Sequence, residues 1–129
     1  MPLVRLSRRA GRPAAENRGL LDAIHAALVE AFKIPDNDRH QQLVQLPPEC
    51  FEIPADRSEA FTLVEITAFP GRSLAAKRAL YQAIARRCQQ VGVAPADMFV
   101  VLLEPPLESW SPRDGVSSED ARPAFKLDV

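Results

Sequence analysis

Apolar positions along this chain follow two alternating periods, and the alternation occurs twice. Pro2 to Leu6 reads as a short strand. From Ala14 to Phe32 the period lengthens to that of a helix, with Leu20, Leu21, Ile24, Leu28 and Ala31 on one stripe, Pro13 in the first turn and Pro35 as the stop. Pro35-Asp36-Asn37-Asp38 is turn chemistry, and His40 to Leu46 resumes as a strand. The same order follows further on. A strand is predicted over Thr62 to Ala68, then a helix capped by Ser73 and running from Leu74 to Val91 with Leu80, Ile84, Cys88 and Val91 on its stripe. Gly92 stops it, and Met98 to Leu103 forms the last strand. The stretch from Pro47 to Ala60 reads as loop with a short hairpin.

The two halves are also alike residue by residue. Shifting the chain by 60 positions lays LVRL (3–6) on LVEI (63–66) and GRPAAENRGLLDAI (11–24) on GRSLAAKRALYQAI (71–84). Residues 3–35 then contain ten identical pairs, including Gly11/Gly71, Arg12/Arg72 and Pro35/Pro95, where average composition gives about two or three. The chain therefore reads as a duplicated β-α-β unit of the α+β class. Right-handed crossovers place four strands in one sheet with both helices on one face. The other face then needs a cover, and Met98 to Leu103 is apolar on both sides, so an oligomer is expected. The tail from Pro105 to Val129 contains Pro105, Pro106, Pro112 and Pro123, is too broken for a helix, and is expected to pack on a neighbouring subunit.

Bulk properties narrow the function. With 129 residues, 47% hydrophobic and 26% charged, the chain suits one globular domain. A net charge of −1 gives no reason to expect nucleic acid. Arg5, Arg8, Arg9 and Arg12 crowd the start, but the strand pattern over Pro2 to Leu6 speaks against a transit peptide. No apolar run approaches a membrane span, so a cytoplasmic protein is expected. Cys50 and Cys88 form no C-x-x-C pair, and His25 and His40 form no metal-binding spacing, so neither a metal nor a cofactor is expected. Cys88 falls on the helix stripe and reads as core, and both histidines read as structural.

Three positions carry candidate chemistry. Proline is small, so removal of Met1 is expected to expose the secondary amine of Pro2 at a strand start. Beside apolar Leu3 that amine lies near a core edge, where desolvation and a neighbouring cation lower an amine's pKa and make it a base near neutrality. Arg72 follows Gly71 at the turn into the second helix, where a guanidinium and a helix N-terminus both favour a carboxylate. Its repeat mate Arg12 is a weaker candidate for the same role. Asp38 ends the turn before the second strand and reads either as a turn cap or as a functional carboxylate.

Four segments in order, MPL (1–3), PDNDRHQ (35–41), GRSLAAKRALY (71–81) and ESW (108–110), resemble the malonate semialdehyde decarboxylase-like branch of the tautomerase superfamily. The resemblance spans roughly residues 2–115. It implies a homotrimer, catalysis by Pro2, Asp38 and Arg72, and a substrate pocket shared by Arg72, Phe69 and Trp110. Asp38 then matches an aspartate that activates water or holds the proline ammonium, with Arg39 bracing it. Three departures stand out: Phe69-Pro70-Gly71 replaces an Arg-Pro-Arg cluster of some members, His40 replaces an aromatic residue, and Ser111-Pro112-Arg113-Asp114-Gly115 replaces an aromatic-glycine continuation after the tryptophan. The lost arginine favours keto-enol tautomerisation of a small 2-oxo acid over decarboxylation of a 3-oxo acid. A catalytically inactive oligomeric binding protein on the same fold is the reading from another class.

Overall fold

The computed structural model describes residues 2–129; Met1, whose removal is expected, lies outside them. Six principal elements follow the predicted order: β1 (Leu3–Arg9), α1 (Ala14–Phe32), β2 (His40–Leu46), β3 (Thr62–Thr67), α2 (Leu74–Gln90) and β4 (Met98–Leu103). The sheet order is β2-β1-β3-β4. β1 runs parallel to β2 and β3 parallel to β4, as β-α-β crossovers require, and the two halves join by the antiparallel pair β1–β3. The duplication read from the sequence is therefore a duplication in space.

Alternation along the strands sorts the sheet into two faces. Val4, Leu6, Val64 and Ile66 are buried beneath the helices with Leu20, Ile24 and Leu28 of α1 and Leu80, Ile84 and Cys88 of α2. Each leucine or isoleucine fully withdrawn from water there contributes about 1.5–3 kcal/mol. The opposite face keeps Leu3, Phe99 and Leu103 roughly half exposed. Ser73 caps α2 by accepting from the Ala76 N–H at 3.1 Å, whereas Pro13 supplies no side-chain cap to α1. Lys33, in the left-handed region at φ 57°, closes α1 through its N–H to the Val29 carbonyl.

One loop expectation changes, and the tail makes contacts within its own chain. Residues 47–60 contain a 3₁₀ turn at Pro48–Cys50 instead of a hairpin, because Pro47 and Pro48 remove two ladder donors and preset the turn. The tail is tied first to its own chain. Trp110 receives the Ser118 N–H on its carbonyl at 2.8 Å, Ser73 donates its N–H to the Val129 carbonyl at 2.8 Å, and Phe125 and Leu127 pack against a small cluster of Phe69, Leu107 and Trp110. Gly71 makes that return possible. Its φ of 126° suits glycine, and a Cβ there would stand 3.3 Å from the Leu127 side chain.

Candidate active site

Strand register gathers the predicted residues at one end of the sheet. Leu3 lies opposite both His40 and Thr67, and Thr67 lies opposite Leu103. The start of β1, the turn before β2, the exit of β3 and the exit of β4 therefore meet. Pro2, Asp38, Phe69, Arg72 and Glu104 belong to those four segments, and the Trp110 ring comes in from the tail to sit 4.7 Å from the Phe69 ring.

Arg72 dominates the electrostatics. It is 5% exposed, with Cζ 4.8 Å from the Phe32 ring centroid and 5.9 Å from that of Phe125. Nη1 donates to the Phe69 carbonyl at 3.2 Å. Nε and Nη2 are buried and have no hydrogen-bond partner among the described residues. Burial lowers the guanidinium's pKa, while the charges of Glu104 and Asp38 act in the opposite direction. Unmatched donors of a buried cation are costly, and they are the groups that a planar carboxylate satisfies in pairs.

Asp38 is built into the turn by its own N–H, which donates to the Pro35 carbonyl at 3.0 Å, and its side chain is only 13% exposed. The expected brace differs. Arg39 reaches Asp22 at 2.8 Å and Gln41 at 3.1 Å, and it is His40 whose Nε2 lies 3.4 Å from Asp38 Oδ1. Strand alternation explains the exchange, since successive residues point to opposite sides. His25 is structural, as expected: its Nε2 sits 2.7 Å from the Asp36 carbonyl and ties α1 to the turn.

Arg12 does not join this site. It follows β1 at the other end of the sheet and holds Glu16 by two bonds of 2.9 Å, while the fully buried Arg8 reaches Glu16 at 2.8 Å, Asn17 at 2.9 Å and the Ala60 carbonyl at 3.0 Å. The repeat mate of the anion-binding candidate is thus engaged in a structural ion network, and its guanidinium already has its carboxylate.

Three cavities adjoin this end of the sheet. One, 340 Å³, is bounded by Asp38, Phe69, Phe125 and residues of the tail between Pro112 and Pro123; another, 300 Å³, by Leu3, His40, Trp110 and residues 109, 111 and 112; a third of 530 Å³ opens on the uncovered sheet face among Leu3, His40, Thr67 and Leu103. Phe69 walls the first and its partner Trp110 the second. Trp110 is oriented by its Nε1, which donates to the Pro105 carbonyl at 3.1 Å. Phe32, Phe125 and Glu104 were not singled out by sequence reasoning. A helix-end Phe, a lone Phe in a proline-broken tail and a strand-end Glu carry no local signature, and only the fold sets them around Arg72. Among the described residues no group of three His, Cys, Asp or Glu is arranged to hold a metal, and no helix is long and apolar enough to cross a membrane.

A β-α-β duplication with a buried arginine and an aspartate at the sheet end where β1 begins is the arrangement of a tautomerase-like protein. The family model described as "Tautomerase enzyme" matches residues 38–113, more than half of the chain, and the chain belongs to this family, in the malonate semialdehyde decarboxylase-like branch of the tautomerase superfamily. It is similar to the probable tautomerase YrdN of Bacillus subtilis (strain 168), 31% identical over 118 residues that cover 86% of this chain and 90% of the relative. FG41 malonate semialdehyde decarboxylase inhibited by 3-bromopropiolate superposes with a TM-score of 0.86 at 28% identity, covering 96% of this chain and 99% of that one. A second malonate semialdehyde decarboxylase, described with decarboxylase and hydratase activities, gives 0.84 at 30% identity over 92% of this chain and 96% of its own. A fused 4-OT symmetric trimer shares the fold at 23% identity with a TM-score of 0.82, covering 94% of this chain and 99% of that one.

Proposed function

We propose that this chain is a cofactor-independent tautomerase in which the amine of Pro2, freed by removal of Met1, moves a proton between carbon and the enol oxygen of a small 2-oxo acid. The observation that carries the reading is the buried guanidinium of Arg72, with Nε and Nη2 unpartnered among the described residues, at the sheet end where β1 begins. The substrate carboxylate takes those two donors. Neutral Pro2 accepts the enol O–H proton and returns it to C3, and the reverse sequence forms the enol. Arg72 stabilises charge spreading from the carboxylate onto the enolate, and Asp38 holds the proline ammonium between the two transfers. Phe69 and Trp110 flank the substrate.

A second reading has its own support, the likeness to malonate semialdehyde decarboxylases at 28% and 30% identity. With a 3-oxo acid the same site breaks the bond to the carboxylate carbon, releases carbon dioxide, and passes the electron pair to a carbonyl oxygen facing protonated Pro2. Phe69 in place of an arginine favours the tautomerase. The working unit is a cytoplasmic homotrimer, with Leu3, Phe99 and Leu103 of the open sheet face covered by neighbouring copies; trimers among the fold relatives support this. An activity screen on protein whose mass shows loss of Met1, wild type against Pro2→Ala, tests the reading on phenylenolpyruvate, 2-hydroxymuconate and malonate semialdehyde. Turnover that collapses in the variant supports proline chemistry and names the reaction. No turnover from a chain with free Pro2 shifts the balance to the binding protein.

A further inference from the structure

Position by position, the second half of the repeat undoes an ion pair of the first. The repeat mates of Arg12, Glu16 and Asn17 are Arg72, Ala76 and Lys77. In the first half Glu16, one helical turn on, takes the Arg12 guanidinium by two bonds of 2.9 Å. In the second half Ala76 stands where that carboxylate would be, and the next position carries a cation instead of an amide. Arg72 accordingly keeps Nε and Nη2 buried and without a hydrogen-bond partner among the described residues.

A different carboxylate is close at hand. Glu104 follows β4 directly, and the Leu103 carbonyl accepts the Ala68 N–H at 2.8 Å. Glu104 therefore leaves the sheet beside the stretch whose Phe69 carbonyl holds Arg72 Nη1 at 3.2 Å. Burial lowers the Arg72 pKa, and among the charges that raise it Glu104 stands ahead of Asp38. Yet Glu104 does not close on the arginine: its Oε1 accepts from Lys77 Nζ at 2.5 Å, in a pair whose side chains are only 26% and 22% exposed. Lys77 is itself fixed in the first turn of α2, its N–H donating to the Ser73 carbonyl at 3.1 Å. A charge-assisted bond in that partly buried setting is stronger than a surface ion pair and holds the carboxylate to one place.

We propose that Lys77 is a positioning residue that draws Glu104 away from Arg72 and so leaves Nε and Nη2 open to the substrate carboxylate. The proposal rests on the reading of Arg72 as the carboxylate site and adds how that site is kept from closing on the chain's own acid. Without the lysine, Glu104 is a tethered competitor. A group joined to the site through a short stretch of chain acts at an effective concentration on the order of millimolar, which a small substrate must then outbid.

Binding and turnover test it separately. Calorimetry measures the Kd of 3-phenylpropanoate, a carboxylate with no keto group to react, and steady-state kinetics give kcat and KM on phenylenolpyruvate. Lys77→Met, with Lys77→Gln beside it, should raise Kd and KM about 10- to 100-fold, the worth of a hydrogen bond to a charged group. In the same variants kcat should change by less than about threefold, since binding rather than the proton transfer is obstructed. Adding Glu104→Gln to Lys77→Met should return Kd and KM to within about threefold of the wild type, and Lys77→Arg, which keeps the cation, should stay in that range. A double variant as weak as Lys77→Met shows that the lysine itself touches substrate and overturns the inference. Kd and KM unmoved in both single variants, or a fall in kcat alone, overturns it equally. No binding by the wild type overturns the reading of Arg72 as the carboxylate site and this inference together, whereas turnover that survives Pro2→Ala overturns only the proline chemistry, because the calorimetric comparison does not involve the amine.

Discussion

Arg72 places cost and function in one residue. A buried cation with two unmatched donors destabilises the fold, and replacing such a group with an apolar side chain of similar size is often neutral or favourable. Arg72→Met is therefore expected to keep or raise the denaturation midpoint while lowering kcat/KM by roughly 100- to 1,000-fold. Urea unfolding beside steady-state kinetics checks it, and loss of activity in step with loss of stability would refute the assignment. Cys88 illustrates the opposite case, a buried group with no role in chemistry. Burial pushes its thiol up to about 12, so it stays protonated and unreactive in the native chain while Cys50 is exposed. A thiol reagent should label one cysteine in the native protein and two after unfolding. The raised folded value also sets a sign. The contribution of Cys88 to stability is complete below the unfolded thiol's value of 9.0 and is lost as pH rises toward 12, by up to about 1.4 kcal/mol per pH unit. Melting curves between pH 8 and 10.5 should show this decline, and Cys88→Ala should flatten it.

At the scale of elements, the two turns that follow the first strand of each half show how one motif is used twice. Gly11-Arg12 leads into α1 and Gly71-Arg72 into α2, yet Arg12 is neutralised by Glu16 whereas Arg72 has no carboxylate in hydrogen-bond contact among the described residues. Glu16 is held below its ordinary value first by the hydrogen bond from Arg12 and then, after a burial cost, by Arg8. Its contribution is present above the ordinary value of 4.5 and lost as pH falls through the lower folded value. Glu16→Gln should cost about 3–5 kcal/mol by leaving Arg8 buried without its partner, and Arg8→Met in the same background should recover much of that. Chemical denaturation of the double-mutant cycle measures the coupling. The cap of α2 contributes less: Ser73→Ala should cost about 1 kcal/mol, read in the same assay.

For the whole molecule the open sheet face is the unsolved surface of a single chain. Leu3, Phe99 and Leu103 are 46%, 48% and 54% exposed on one side of a sheet whose other side is covered by the two helices. Sedimentation should therefore find a trimer. Phe99→Lys with Leu103→Lys should shift it to monomer, and a monomer that retains full activity would show that no residue of a neighbouring copy is needed for turnover.

Periodicity and propensity are local quantities, so the sequence by itself determined the elements: α1, β2 and β4 fall on the predicted residues, and Ser73, Pro35 and Gly92 stop or start helices where their backbone chemistry requires. The 60-residue repeat also determined the sheet, because two similar β-α-β units have few ways to pair. Pro2, Asp38 and Arg72 were legible as candidates through the repeat and the four segments that resemble the family, since a strand-start proline or a turn aspartate alone has ordinary structural uses. Tertiary structure decided what no local pattern encodes. It brought Phe32, Phe125 and Glu104 around Arg72, set His40 rather than Arg39 beside Asp38, closed Arg12 onto Glu16, and folded a proline-broken tail back to make a cavity. Those contacts join residues far apart along the chain, and their partners are chosen by register and packing after the elements exist.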